Sequence, residues 1–144
     1  MEFINFIIIY SILTFSILGY GFLFSKVFTK YNNFERSSIS VGYVGIFGIF
    51  ISIIISYLSN FIFPHNNLHN LIYILIGLIF FFIFYKKQYK KIISKYFLFS
   101  YLLSFFAIFF FKSHDDFSYY HLSLINNIVE NKIEFGISHF DIAF

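Results

Sequence analysis

Residues 39–63 read ISVGYVGIFGIFISIIISYLSNFIF, and Pro64 closes the run. A helix needs about 20 apolar residues to cross the hydrocarbon core of a bilayer. This stretch supplies them without a charged side chain. Working outward, comparable runs lie over residues 3–24, 68–85 and 92–111. A lysine near a span end, such as Lys95, can lay its stem along the helix and carry its charge to the headgroups. All four runs are continuously apolar and do not alternate apolar with polar, which disfavours a β-barrel. Inside lipid, helices then remain as the way to satisfy the backbone hydrogen bonds. The sequence therefore predicts an all-α integral membrane bundle of about four transmembrane helices over residues 1–111, followed by a second segment over residues 112–144.

Composition points the same way. Of 144 residues, 59% are hydrophobic, 26% aromatic and 12% charged. An ordinary soluble domain carries roughly 25% charged residues, and one of this size would expose much of its apolar surface to water. The excess of Phe, Ile, Tyr, Asn and Lys, with no Trp, has the look of AT-rich coding. The absence of Cys excludes disulfides, thiolate nucleophiles and Cys-based metal sites. A net charge of +3 does not indicate nucleic acid, because the cations gather at the ends of the apolar runs. The first run is read as a true span, since Met1-Glu2 gives no cationic start of a signal peptide and the run is long enough to cross.

The loops predict orientation. Lys26, Lys30 and Arg36 follow the first span, and Lys86, Lys87, Lys90, Lys91 and Lys95 follow the third. Pro64-His65-Asn66-Asn67, between the second and third, carries neither Lys nor Arg, and only Lys112 and Lys132 follow the fourth. Positive loops stay on the cytoplasmic side. The N-terminus and the residues after 111 are therefore expected outside, in a multi-pass membrane protein. The basic inner loop serves as a topology signal and can also touch anionic headgroups.

All five histidines (His65, His69, His114, His121 and His139) then fall on the outer side, with Asp115, Asp116, Glu130, Glu134 and Asp141. The densest polar cluster is Ser113-His114-Asp115-Asp116-Phe117-Ser118-Tyr119-Tyr120-His121. Phe117, Tyr120, Leu124, Ile125 and Ile128 recur at helical spacing, which predicts an amphipathic helix lying on the membrane surface. Ser113 and Asp116 fit an N-cap and its capping-box acid, with both aspartates favoured by the helix dipole. The same carboxylates at a lipid–water boundary suit a general base, or oxygen ligands for a divalent cation. His114 and His121 share a face, but without an H-E-x-x-H arrangement they do not read as a zinc site. His65 and His69, beside Pro64 and two asparagines, read as surface histidines on a tight turn. Gly42, Gly45 and Gly48 form a small-residue strip that either marks a close helix contact or reflects the general frequency of glycine in membrane helices.

The run Asp115-Asp116-Phe117-Ser118-Tyr119-Tyr120-His121-Leu122, followed by Asn131-Lys132-Ile133-Glu134-Phe135-Gly136-Ile137, resembles polytopic bacterial membrane proteins related to the GT-C glycosyltransferases of surface polysaccharide synthesis. The resemblance covers roughly thirty residues. It implies Asp115 or Asp116 as the catalytic acid of the outer loop, acting as base or as ligand of a divalent cation. It also implies Tyr120 and His121 as substrate-binding neighbours, and a polyprenyl-phosphate sugar and membrane lipid as partners. Such proteins have more spans than four, so the chain is expected to be the N-terminal part of a larger one. Two other classes stay open: a non-enzymatic transport or assembly subunit of polysaccharide export, and a small membrane protein without activity.

Overall fold

The computed structural model describes residues 2–32, 40–85, 95–111, 117 and 121–133. Its elements are α1 (Glu2–Asn32), α2 (Val41–Asn60), α3 (Asn67–Phe84), α4 (Lys95–Phe109) and α5 (His121–Glu130). The described chain is all-helical, as expected. Among the described residues, three helices are long and apolar enough to cross a membrane: Phe3–Phe28 of α1, α2 and α3, with mean hydropathies of 2.0, 2.2 and 2.1. The protein is thus a multi-pass membrane helical bundle.

The helices differ from the apolar runs at their ends. α1 continues from Phe24 to Asn32, past Lys26, because a single lysine ends an apolar count without breaking helical hydrogen bonding. At 1.5 Å per residue its apolar part is about 39 Å long, more than a bilayer core of about 30 Å, which favours a tilted span. α2 stops at Asn60 and not at Phe63, because the chain turns before Pro64, the amides of Ile62 and Phe63 both donating to the Ser59 carbonyl. α4 has 15 residues in place of the twenty expected over 92–111, about 22 Å of helix. Phe110 and Phe111 have left the helix, and residues 92–94 lie outside the described ones.

Helix α1 is the hub. Ile17 faces Gly48, and Gly21 faces Val44, so α1 and α2 are antiparallel. Ser16 and Gly19 meet Gly77, while Phe22 stacks on Phe81, so α1 and α3 run parallel. α4 meets α1 in the antiparallel sense, Phe3 against Phe109 and Tyr10 against Tyr101. The buried core, Leu18, Phe22, Val41, Val44, Phe81 and Phe84, lies where α1, α2 and α3 converge. The outward faces carry large apolar side chains: Ile46, Ile53 and Leu68 are each more than 60% exposed, as helices solvated by lipid require.

Glycine sets the closest approaches. A Cβ on Gly19 would strike the Gly77 carbonyl, one on Gly21 the Val44 carbonyl, and one on Gly48 the Ile17 carbonyl. Successive helical residues turn by about 100°, so Gly19 and Gly21 point to opposite flanks, one towards α3 and one towards α2. Of the expected strip in α2, only Gly48 makes such an approach. Gly42 and Gly45 have their nearest neighbours at 3.7 and 3.9 Å. A spacing of three drifts around the helix, and the face α2 buries is Val41, Val44 and Gly48.

Candidate functional site

Because the helices alternate in direction, the α2–α3 turn, the start of α1 and the end of α4 share one end of the bundle. Helix α5 is tied to that same end. The Ile128 carbonyl, in the last turn of α5, accepts from Asn60 Nδ2 at 3.2 Å and from the His65 amide at 3.0 Å. The Ile133 amide donates to the Asn60 carbonyl at 3.2 Å. Asn60 is 1% exposed, and its Oδ1 has no hydrogen-bond partner. The final carbonyls of a helix lack partners within it; here the turn supplies two donors for one of them.

The polar residues of the turn form a cluster. Asn66 caps α3, its Oδ1 accepting the His69 amide at 3.0 Å, so His69 sits in the first turn of a helix. The His65 and His69 rings stack with centroids 4.5 Å apart and planes 7° from parallel. The Nε2 atoms of both converge on Ser59 Oγ, each at 3.1 Å. Asn70 closes the cluster: its Oδ1 lies 3.3 Å from His69 Nδ1, and its Nδ2 donates to the His65 carbonyl at 2.9 Å. These are therefore not surface histidines on a free turn, because both rings are half-buried and share one hydroxyl. Burial, followed by the neighbouring His69, lowers the pKa of His65.

Of the residues expected to carry chemistry, His121 begins α5, exposed, with its ring 6.2 Å from that of Phe117. Asp115, Asp116 and Tyr120 lie outside the described residues, as do Ser113, His114 and His139. Leu122, Leu124 and Ile125 of α5 are exposed, and Ile128 is half-buried. The helix presents an uncovered apolar side, as an interfacial helix does. No group of three or more His, Asp or Glu side chains that could hold a metal ion occurs among the described residues.

A second feature is a cleft of about 600 Å³ between α1, α2 and α4. Ile17, Leu18, Val41, Ile49 and Phe97 give it an apolar lining, and Tyr10, Thr14, Ser40, Ser100, Tyr101 and Ser104 add hydroxyls. Several of these hydroxyls are already engaged. Tyr10 donates to the Tyr101 carbonyl at 3.0 Å, Thr14 donates to the Tyr10 carbonyl at 2.8 Å, and the Tyr101 hydroxyl lies 2.7 Å from Ser11 Oγ. The cleft extends from mid-bundle towards the Ser40 end, opposite to the histidine cluster. No protein-family model, curated protein or solved structure matches the chain.

Proposed function

We propose that the protein acts on lipid-linked sugars at one face of a bacterial cytoplasmic membrane, in the manner of GT-C glycosyltransferases. The observation that carries this reading is the anchorage of α5. By holding Ile128 and Ile133, Asn60 and His65 keep α5 at the end of the bundle opposite Lys26. The acidic stretch just before α5 in sequence would then act at that lipid–water boundary. The lysine-poor α2–α3 turn supports the orientation in which this end faces outward.

Asp115 or Asp116 takes the proton from an acceptor hydroxyl as that oxygen attacks the anomeric carbon, and polyprenyl phosphate departs with the bonding electrons. Tyr120 and His121 contact the sugar. The cleft between α1, α2 and α4 has the apolar lining and the volume to accept part of a long isoprenoid tail. The test is transfer of radiolabelled sugar from a polyprenyl-phosphate donor, in membranes from cells that make the protein. Replacing Asp115 and Asp116 together by Asn is expected to lower transfer by about 100-fold or more, the usual contribution of a positioned base. Undiminished transfer at wild-type protein levels would sink the reading.

A further inference from the structure

The α2–α3 turn places two imidazoles together in a way that neither the packing of the spans nor sugar transfer requires. His65 and His69 come from opposite sides of the Asn66 cap, yet their Nε2 atoms reach one point, each 3.1 Å from Ser59 Oγ. We propose that this pair is a binding site for a borderline divalent cation of the zinc class, with His65 and His69 as its two nitrogen ligands. This inference stands apart from the glycosyltransferase reading, since none of its ligands belongs to the acidic stretch.

Three observations carry it. The first is convergence: the Nε2 atoms of two neighbouring rings reach one oxygen, Ser59 Oγ, whose own proton goes to the Ser56 carbonyl at 3.0 Å. The second is the support behind His69. A metal-binding imidazole donates its other N–H to a carbonyl or carboxylate, which fixes the tautomer and leaves the ligating nitrogen bare. Asn70 Oδ1 stands 3.3 Å from His69 Nδ1 in that role, and is itself held by the bond from Asn70 Nδ2 to the His65 carbonyl. The third is the surroundings. Residues 64–67 contain neither Lys nor Arg to repel a cation, and both rings are half-buried, so water can still reach the site.

The stacked rings must tilt for both lone pairs to meet a cation at about 2.0–2.1 Å. Two imidazoles leave coordination positions for Ser59 Oγ and water. An all-nitrogen protein set with open positions suits Zn2+, Cu2+ or Ni2+ and does not suit Mg2+, which prefers oxygen.

The experiment is a titration of the purified, detergent-solubilised chain with Zn2+ against a chromophoric zinc chelator at pH 7.5. The chain is expected to bind one Zn2+. His65→Asn and His69→Asn should each weaken binding by about tenfold or more, in line with the sensitivity of metal sites to their supporting groups. His114→Asn, which alters a histidine far away in sequence, should leave affinity unchanged. Equal binding by the wild type and the His65→Asn/His69→Asn double variant overturns the proposal, as does a loss in His114→Asn equal to that in either ligand variant. Should the variants fail to fold, Cu2+ bound to the wild type gives a second readout. Electron paramagnetic resonance is expected to show two imidazole nitrogens, and one or none overturns the assignment. Sugar transfer is scored separately with D115N/D116N, so the two readings fail independently.

Discussion

Helix α1 is held on its two sides by different means. Towards α2 and α3 it uses absence: Gly21, Gly19, Gly48 and Gly77 let backbone meet backbone, and Ser16 Oγ crosses to the Ile74 carbonyl at 3.2 Å. Towards α4 it uses bulk. Phe3, Phe6 and Tyr10 meet Phe105 and Phe109 edge-on or tilted, with centroids 5.1 to 5.9 Å apart. In lipid no hydrophobic force drives helices together, so contact area and interhelical hydrogen bonds must do so. The glycine seams gain dispersion along whole backbones, at a separation that tolerates no added carbon. The aromatic seam keeps its helices further apart and can readjust through χ rotation. One is rigid and intolerant; the other is adaptable.

The sharpest way to break this comparison is to fill a glycine seam. Gly77→Val places carbons where Ser16 Oγ and the Ser16 carbonyl already sit. Backbone resists displacement more than side chains do, so destabilisation of about 3 kcal/mol or more is expected, at the upper end for overpacking. Thermal unfolding in detergent checks it. Gly42→Ala, whose new carbon meets only Ser40 Oγ at 3.7 Å, is expected to be neutral or slightly stabilising. Equal damage from the two would mean that the seam is not what sets the separation.

A smaller loss is expected on the other side. Phe105→Ala removes a ring that is 5% exposed and touches Phe3, Phe6 and Tyr10. In an aqueous core such a deletion costs about 3–5 kcal/mol; with lipid or detergent able to enter the gap, the loss should fall below that range. The same unfolding measurement ranks it against Gly77→Val, and a larger loss for Phe105→Ala would reverse the roles assigned to the two seams.

The smallest effect concerns the α2–α3 turn. His65 has a folded-state pKa below its ordinary value of about 6.5, so the unfolded turn binds more protons than the folded one as pH falls. Stability of the turn is therefore full above about pH 6.5 and declines as pH drops through that value towards the folded pKa. Protection of the amides of His65 and Ile133, which hold α5, measured as hydrogen exchange relative to the intrinsic rate at each pH, should fall below about pH 6.5 in the wild type. It should do so less in His65→Asn.

The spans were legible because an apolar run long enough to cross a membrane has few other uses in a short chain. Their ends were less so: Lys26 ended the apolar count of α1, whereas the helix carries that cation onward to sit 5.1 Å from the Phe84 ring. The strip Gly42-Gly45-Gly48 advertised a contact that Gly48 alone makes. Gly19 and Gly21, which carry two of the seams, show no regular spacing, since each serves a different neighbour. The histidine pair was hidden by Pro64, which made a turn of the whole segment and obscured that Asn66 starts a helix beneath His69. No linear pattern announces Ser59 as their common partner, since that depends on how α2 ends. Asp115, Asp116 and Tyr120, outside the described residues, rest on the sequence alone.

The buried Asn60 has a consequence for how the protein is made. The donors that hold Ile128 belong to the α2–α3 hairpin, and one of them, Asn60, is almost fully enclosed in the folded protein. A nascent chain therefore has no berth for α5 until two earlier segments have been threaded and brought back. Helix α5 waits on a latch built from two segments made before it, and its settling reports that biogenesis of the hairpin has succeeded.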